Sequence, residues 1–77
     1  MPHVIIKIYP KTDEEKKRLA KAITDAIVEI TDNEEKGVSI IFEEVTPEDW
    51  PEKVYRPDIL EKQDLLYKKP GYNPFLK

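Results

Sequence analysis

The sequence predicts a small α/β fold built on one β-α-β unit, and three observations carry the prediction. Two short runs dense in β-branched residues, His3 to Tyr9 and Val38 to Val45, flank a stretch with helical periodicity. That intervening stretch is long enough to be a crossover helix, which requires the two strands to run parallel. The 77 residues contain no cysteine and one histidine, so neither a disulfide nor a thiolate metal centre organises the fold.

The first strand starts almost at the first residue and closes at Pro10. Alternation puts Val4, Ile6 and Ile8 on one face and Ile5, Lys7 and Tyr9 on the other. Thr12-Asp13-Glu14-Glu15 then opens a helix, with Thr12 as N-cap, Glu15 as its capping-box partner and acids in the first turn. The helix should run to about Ile30, with Leu19, Ile23, Ala26, Ile27 and Ile30 as its apolar stripe. Lys17, Lys21, Asp25 and Glu29 fall outside that stripe, and Thr31-Asp32-Asn33 ends the helix. In the second strand Val38, Ile40 and Phe42 share a face, while Ser39, Ile41, Glu43 and Val45 share the other. Beyond it, Thr46 to Trp50 reads as a turn or a capped first helical turn, and Pro51 and Pro57 are expected to break up the adjoining segment. Asp58 to Tyr67 is predicted as a short C-terminal helix, Pro70-Gly71 as a turn, and Tyr72 to Lys77 as a tail able to dock on a neighbour.

One helix covers one sheet face. Ile5, Tyr9, Ile41 and Val45 on the other leave too much apolar surface to stay wet. The chain, read as a single domain over residues 1–77, is also small and 38% charged, so it buries little core by itself. A second copy or the C-terminal segment is expected to cover this face. A net charge of −3 gives no basic footprint for nucleic acid, and no apolar run is long enough to span a membrane. The default is a cytoplasmic protein with no metal and no cofactor. Lys16-Lys17-Arg18 and Lys68-Lys69 are read as solvated surface.

Conventional catalytic constellations are scarce: two glycines make no phosphate loop, and Glu43 and Glu44 point to opposite strand faces. The unusual residue is Pro2. Removal of Met1 would turn its nitrogen into a secondary amine at the start of a strand, where partial desolvation and nearby cations disfavour the charged form. A base near neutrality is what proton abstraction needs. From the residues alone, a stiff N-terminal proline with no role is the other reading. His3 adjoins Pro2 but faces the opposite way in an alternating strand, so it reads as structural.

Met-Pro-His before a strand, Pro-Lys-Thr-Asp-Glu-Glu opening a helix, a second strand and then Trp50 resemble the 4-oxalocrotonate tautomerase family. Val54-Tyr55-Arg56-Pro57-Asp58-Ile59 and Lys68-Lys69-Pro70-Gly71-Tyr72 are similar to its branch of this chain length, the phenylpyruvate-type enol tautomerases. The resemblance covers essentially the whole chain. It implies a β-α-β subunit whose sheets pack in an oligomer, and an isomerase in which the mature N-terminal proline, here Pro2, is the general base. It places Lys11 where the family typically has a substrate-binding arginine, and Trp50 at the aromatic wall. The family's second-strand arginine falls at Ser39 by spacing and is missing, leaving Arg56 as a candidate second cation.

Fewer cationic anchors point to a monocarboxylate, an arylpyruvate-like enol, over a dicarboxylate. Retention of Met1 would lock the nitrogen in a peptide bond and leave the protein inactive in proton transfer. The C-terminal segment, longer than in the shortest relatives, favours a homodimer, with a homohexamer as the alternative. Two other functions stay open: a non-catalytic dimerisation domain, and a hydratase or dehalogenase of 3-substituted acrylates using Glu43 or Glu44 to activate water.

Overall fold

Alternating β-branched residues form β1 (His3–Ile8) and β2 (Ser39–Glu44), and the connecting stretch folds as α1 (Asp13–Thr31). The computed structural model describes residues 1–76, and within them the strands pair parallel in a two-stranded sheet. The register sets His3 opposite Ser39, Ile5 opposite Ile41, and Lys7 opposite Glu43. The chain divides into two compact units, Met1–Glu44 and Val45–Lys77.

In the first unit α1 begins as its sequence dictates. The Thr12 hydroxyl accepts from the Glu15 backbone at 3.1 Å, and the Glu15 carboxylate accepts from the Thr12 backbone at 3.1 Å. The helix ends at Asp32, whose left-handed φ of 58° turns the chain while its N–H donates to the Val28 carbonyl at 3.2 Å. A short 3₁₀ turn, Glu35–Gly37, leads into β2.

The half-buried residues of α1 are Lys16, Ala20, Ile23, Thr24, Ile27 and Val28. This corrects the expected stripe: Leu19 and Ala26 are exposed and Ile30 is 80% exposed. The sheet beneath is only two strands wide, so it covers a narrower strip of helix than the sequence periodicity offers. Val4, Ile6, Ile8, Ile40 and Phe42 are half-buried on one sheet face. On the other, Ile5 and Ile41 remain 54% and 43% exposed, as the alternation pattern predicts.

The second unit departs further from expectation. Pro51 and Pro57 do not interrupt the chain: Pro51–Ile59 is a continuous π-helical segment leading into a 3₁₀ stretch, Leu60–Leu65. Pro51 occupies the start of the segment, where its missing N–H is not needed. Pro57 lies inside it, and the wide winding tolerates that; the Leu60 N–H past its end reaches both Arg56 and Tyr55 carbonyls. The C-terminal helical structure therefore begins earlier than Asp58 and stops before Tyr67. Val54 and Tyr55 are the buried side chains of the described residues, at 4% and 5% exposure. Tyr72 and Phe75 of the tail pack on Tyr55, with ring centroids 5.6 Å and 6.1 Å away. The tail, as far as residue 76, thus docks within its own unit, and Lys77 lies outside the described residues.

Candidate active site

Parallel pairing fixes the N-terminal end of β1. The Ser39 backbone N–H donates to the Pro2 carbonyl at 3.1 Å, so Pro2 is held in register although it precedes the strand. Met1 is 98% exposed beyond it. A Cβ built on Gly37 would lie 3.2 Å from the Met1 sulfur and 3.9 Å from its Cα, so the glycine leaves room around the first residue. Directly across from His3, the Ser39 hydroxyl meets the imidazole Nδ1 at 2.6 Å. Pro2, His3 and Ser39 form one cluster, a grouping that sequence reasoning missed. Alternation reports which face a side chain takes but not its cross-strand partner, which needs the register.

Lys11 sits at the opposite end of β1. The five steps from His3 to Ile8 alone separate the two ends by roughly 17 Å at ~3.3 Å per residue. One chain therefore does not bring Pro2 and Lys11 together. Lys11, Lys16 and Arg18 border a cleft of about 420 Å³ with Ile8, Leu19 and Phe42 among its lining. Glu44 organises this turn: one carboxylate oxygen accepts from the Lys11 backbone N–H at 2.8 Å, the other from the Lys16 ammonium at 3.3 Å. Those donors, the Lys11 N–H foremost, hold the Glu44 carboxyl below its ordinary range. Glu43 lies 4.0 Å from the Lys7 ammonium across the strands. Both strand carboxylates thus have cationic partners, which gives the water-activation alternative no support.

In the second unit Trp50 donates its indole N–H to the Tyr72 hydroxyl at 2.9 Å, and the Tyr55 hydroxyl donates to the Tyr72 carbonyl at 2.8 Å. Tail contacts therefore fix the orientation of the indole. Arg56 is engaged locally, with a bidentate contact to Glu52 at 2.9 Å and 3.1 Å and its guanidinium 4.4 Å from the Phe75 ring centroid. Its charge is used to build the unit, which argues against the role of second substrate cation. Among the described residues no three His, Asp or Glu side chains group as metal ligands, and no helix is long and apolar enough to cross a membrane.

The family model described as tautomerase enzyme matches residues 2–52, from the proline through both strands and past Trp50. The chain belongs to the tautomerase family. Similar curated proteins extend the match to the C-terminal segment. Tautomerase PptA of Enterobacter sp. (strain 638) is 40% identical over 75 residues, covering 95% of this chain and 99% of the relative. Tautomerase PptA of Cronobacter sakazakii (strain ATCC BAA-894) is 36% identical over 74 residues, covering 94% and 97%. That of Escherichia coli O9:H4 (strain HS) is 33% identical over 75 residues, covering 95% and 99%. Membership in the family makes this chain a tautomerase, an isomerase.

Proposed function

We propose that this tautomerase converts the enol of an arylpyruvate-like monocarboxylate to its keto form, with Pro2 as general base once Met1 is removed. The observation that carries the reading is the family match beginning at residue 2 itself. An α-amino group ordinarily titrates near 7.7–8.0, and a partly dry strand end lowers that value toward neutrality. The free amine takes the proton of the 2-hydroxyl. The oxygen pair forms the C2 carbonyl, and the C2–C3 double-bond pair takes a proton at C3 from the pyrrolidinium. The base ends as it began, and no redox partner or cofactor is needed.

Lys11 supplies the second element, a point charge for a carboxylate that orients it less tightly than a guanidinium fork. Because Lys11 lies at the far end of β1 from Pro2, it serves the Pro2 of another copy. The outer sheet face with Ile5 and Ile41 is the surface for that copy, and a homodimer is the smallest assembly that provides it. Trp50 provides the aromatic wall for the apolar end of the substrate, its ring held by Tyr72.

The test is ketonisation of enol-phenylpyruvate, measured in parallel with the intact mass of the protein. Protein starting at Pro2 should accelerate ketonisation, and Pro2→Ala should lose ~10²- to 10⁴-fold, the usual worth of a positioned base. Material that keeps Met1 should behave like Pro2→Ala. Equal rates for processed wild type and Pro2→Ala would remove proline from the mechanism.

A further inference from the structure

We propose that His3, oriented by Ser39, binds the substrate carboxylate beside Pro2; the assignment rests on the reading of Pro2 as the base. Ser39 contacts both residues at once, its N–H on the Pro2 carbonyl at 3.1 Å and its hydroxyl on His3 Nδ1 at 2.6 Å. Where the hydroxyl donates to Nδ1, Nε2 carries a proton and is the nitrogen left to donate to a ligand.

The chemistry requires a donor at this place. In a 2-hydroxy enol acid the carboxyl carbon is bonded to C2, and the proton moves between the oxygen on C2 and the adjacent C3. A carboxylate anchor must therefore lie within a few ångströms of the base. His3 is joined to Pro2 through Ser39, at the same end of the sheet, whereas Lys11 of the same chain lies at the far end of β1. The surroundings favour a carboxylate as well. On the outer face the next residues along the two strands are Ile5 and Ile41, followed by Lys7 and Glu43, which face each other at 4.0 Å. A second copy over Ile5 and Ile41 would dry the bond and strengthen it.

Two measurements test this. In kinetics with enol-phenylpyruvate and its methyl ester, His3→Ala should raise KM for the acid roughly 10- to 100-fold, the span of a hydrogen bond to a charged group. It should leave kcat and the ester KM nearly unchanged. Ser39→Ala should show a smaller rise of the same kind, and Ser39→Thr, which restores the hydroxyl, should reverse it. In binding, the chain has one histidine, so its imidazole NMR signals are unambiguous. Titration with 3-phenylpropionate should shift them in both wild type and Pro2→Ala, and titration with the methyl ester should not. Shifts in Pro2→Ala with no catalysis by wild type would sink the proline base and leave the His3 site standing. An unchanged acid KM in a folded His3→Ala protein, or no imidazole shift on titration of active wild type, would overturn the site.

Discussion

Tyr55 in the second unit is 5% exposed and has the rings of Tyr72 and Phe75 against it, 5.6 Å and 6.1 Å away. In the first unit α1 has no buried side chain at all, and the sheet leaves Ile5 and Ile41 roughly half exposed. The segment after β2 thus finds partners for its aromatic residues within itself: a π-helical stretch, a returning tail, and hydrogen bonds from Trp50 and Tyr55 that tie the two together. The β-α-β unit, which carries Pro2, His3 and Lys11, has one covered sheet face and one open one. The contrast teaches that the half carrying the proposed base is the half whose apolar surface is unfinished, so assembly and activity are expected to be linked.

That contrast can be broken from either side. The largest effect is expected at Tyr55→Ala, which empties the core of the second unit and should cost about 3–5 kcal/mol in denaturant unfolding. Because those contacts lie within one chain, the loss should be independent of protein concentration; a loss that grows on dilution would mean the core is completed by another copy. Ile41→Asp comes next. A carboxylate in the middle of the outer face should weaken self-association by about 2 kcal/mol, ~30-fold, measured by sedimentation. Wild-type Tm should rise with protein concentration and the Tm of this variant should not. An unchanged oligomer mass would show that the open face is not the contact.

The smallest effect belongs to Glu44, the residue that ties the Lys11 turn to α1 of the same unit. Its carboxyl is held below the ordinary value in the folded chain, so the stabilisation it gives is present above the unfolded carboxylate pKa. It is lost as pH falls through the depressed native value. Glu44→Gln should accordingly be slightly less stable than wild type at pH 7, with the difference closing in acid. A gap that persists at pH 2 would place the effect in packing instead of charge.

The legible parts of this molecule are those written in local chemistry. Thr12 and Glu15 announce the start of α1, the β-branched alternation separates Ile5 and Ile41 from Ile6 and Phe42, and a helix between two strands dictates parallel pairing. Pro51 and Pro57 misled, because a proline penalty calibrated on α-helices does not carry over to a wider winding. The pairs His3 with Ser39 and Trp50 with Tyr72 were invisible for a different reason. They span 36 and 22 residues, and nothing in either local sequence specifies a partner that far along the chain. The family resemblance supplied Pro2, Lys11 and Trp50 as candidates, but the distance between Pro2 and Lys11 along β1 becomes an argument only once the strand is built.

The hydrogen bond between Ser39 and Pro2 has a consequence for the proposed removal of Met1. It uses the carbonyl of Pro2 and leaves the peptide bond on the other side of that residue untouched, with Met1 98% exposed beyond it. Trimming the first residue therefore removes no rung of the sheet. An aminopeptidase acting on the nascent chain or on the finished fold should yield the same product, and the two routes should be indistinguishable by circular dichroism. Under the proposed removal of Met1, folding and the unmasking of the amine would then be independent events, and the second could be delayed without penalty to the first.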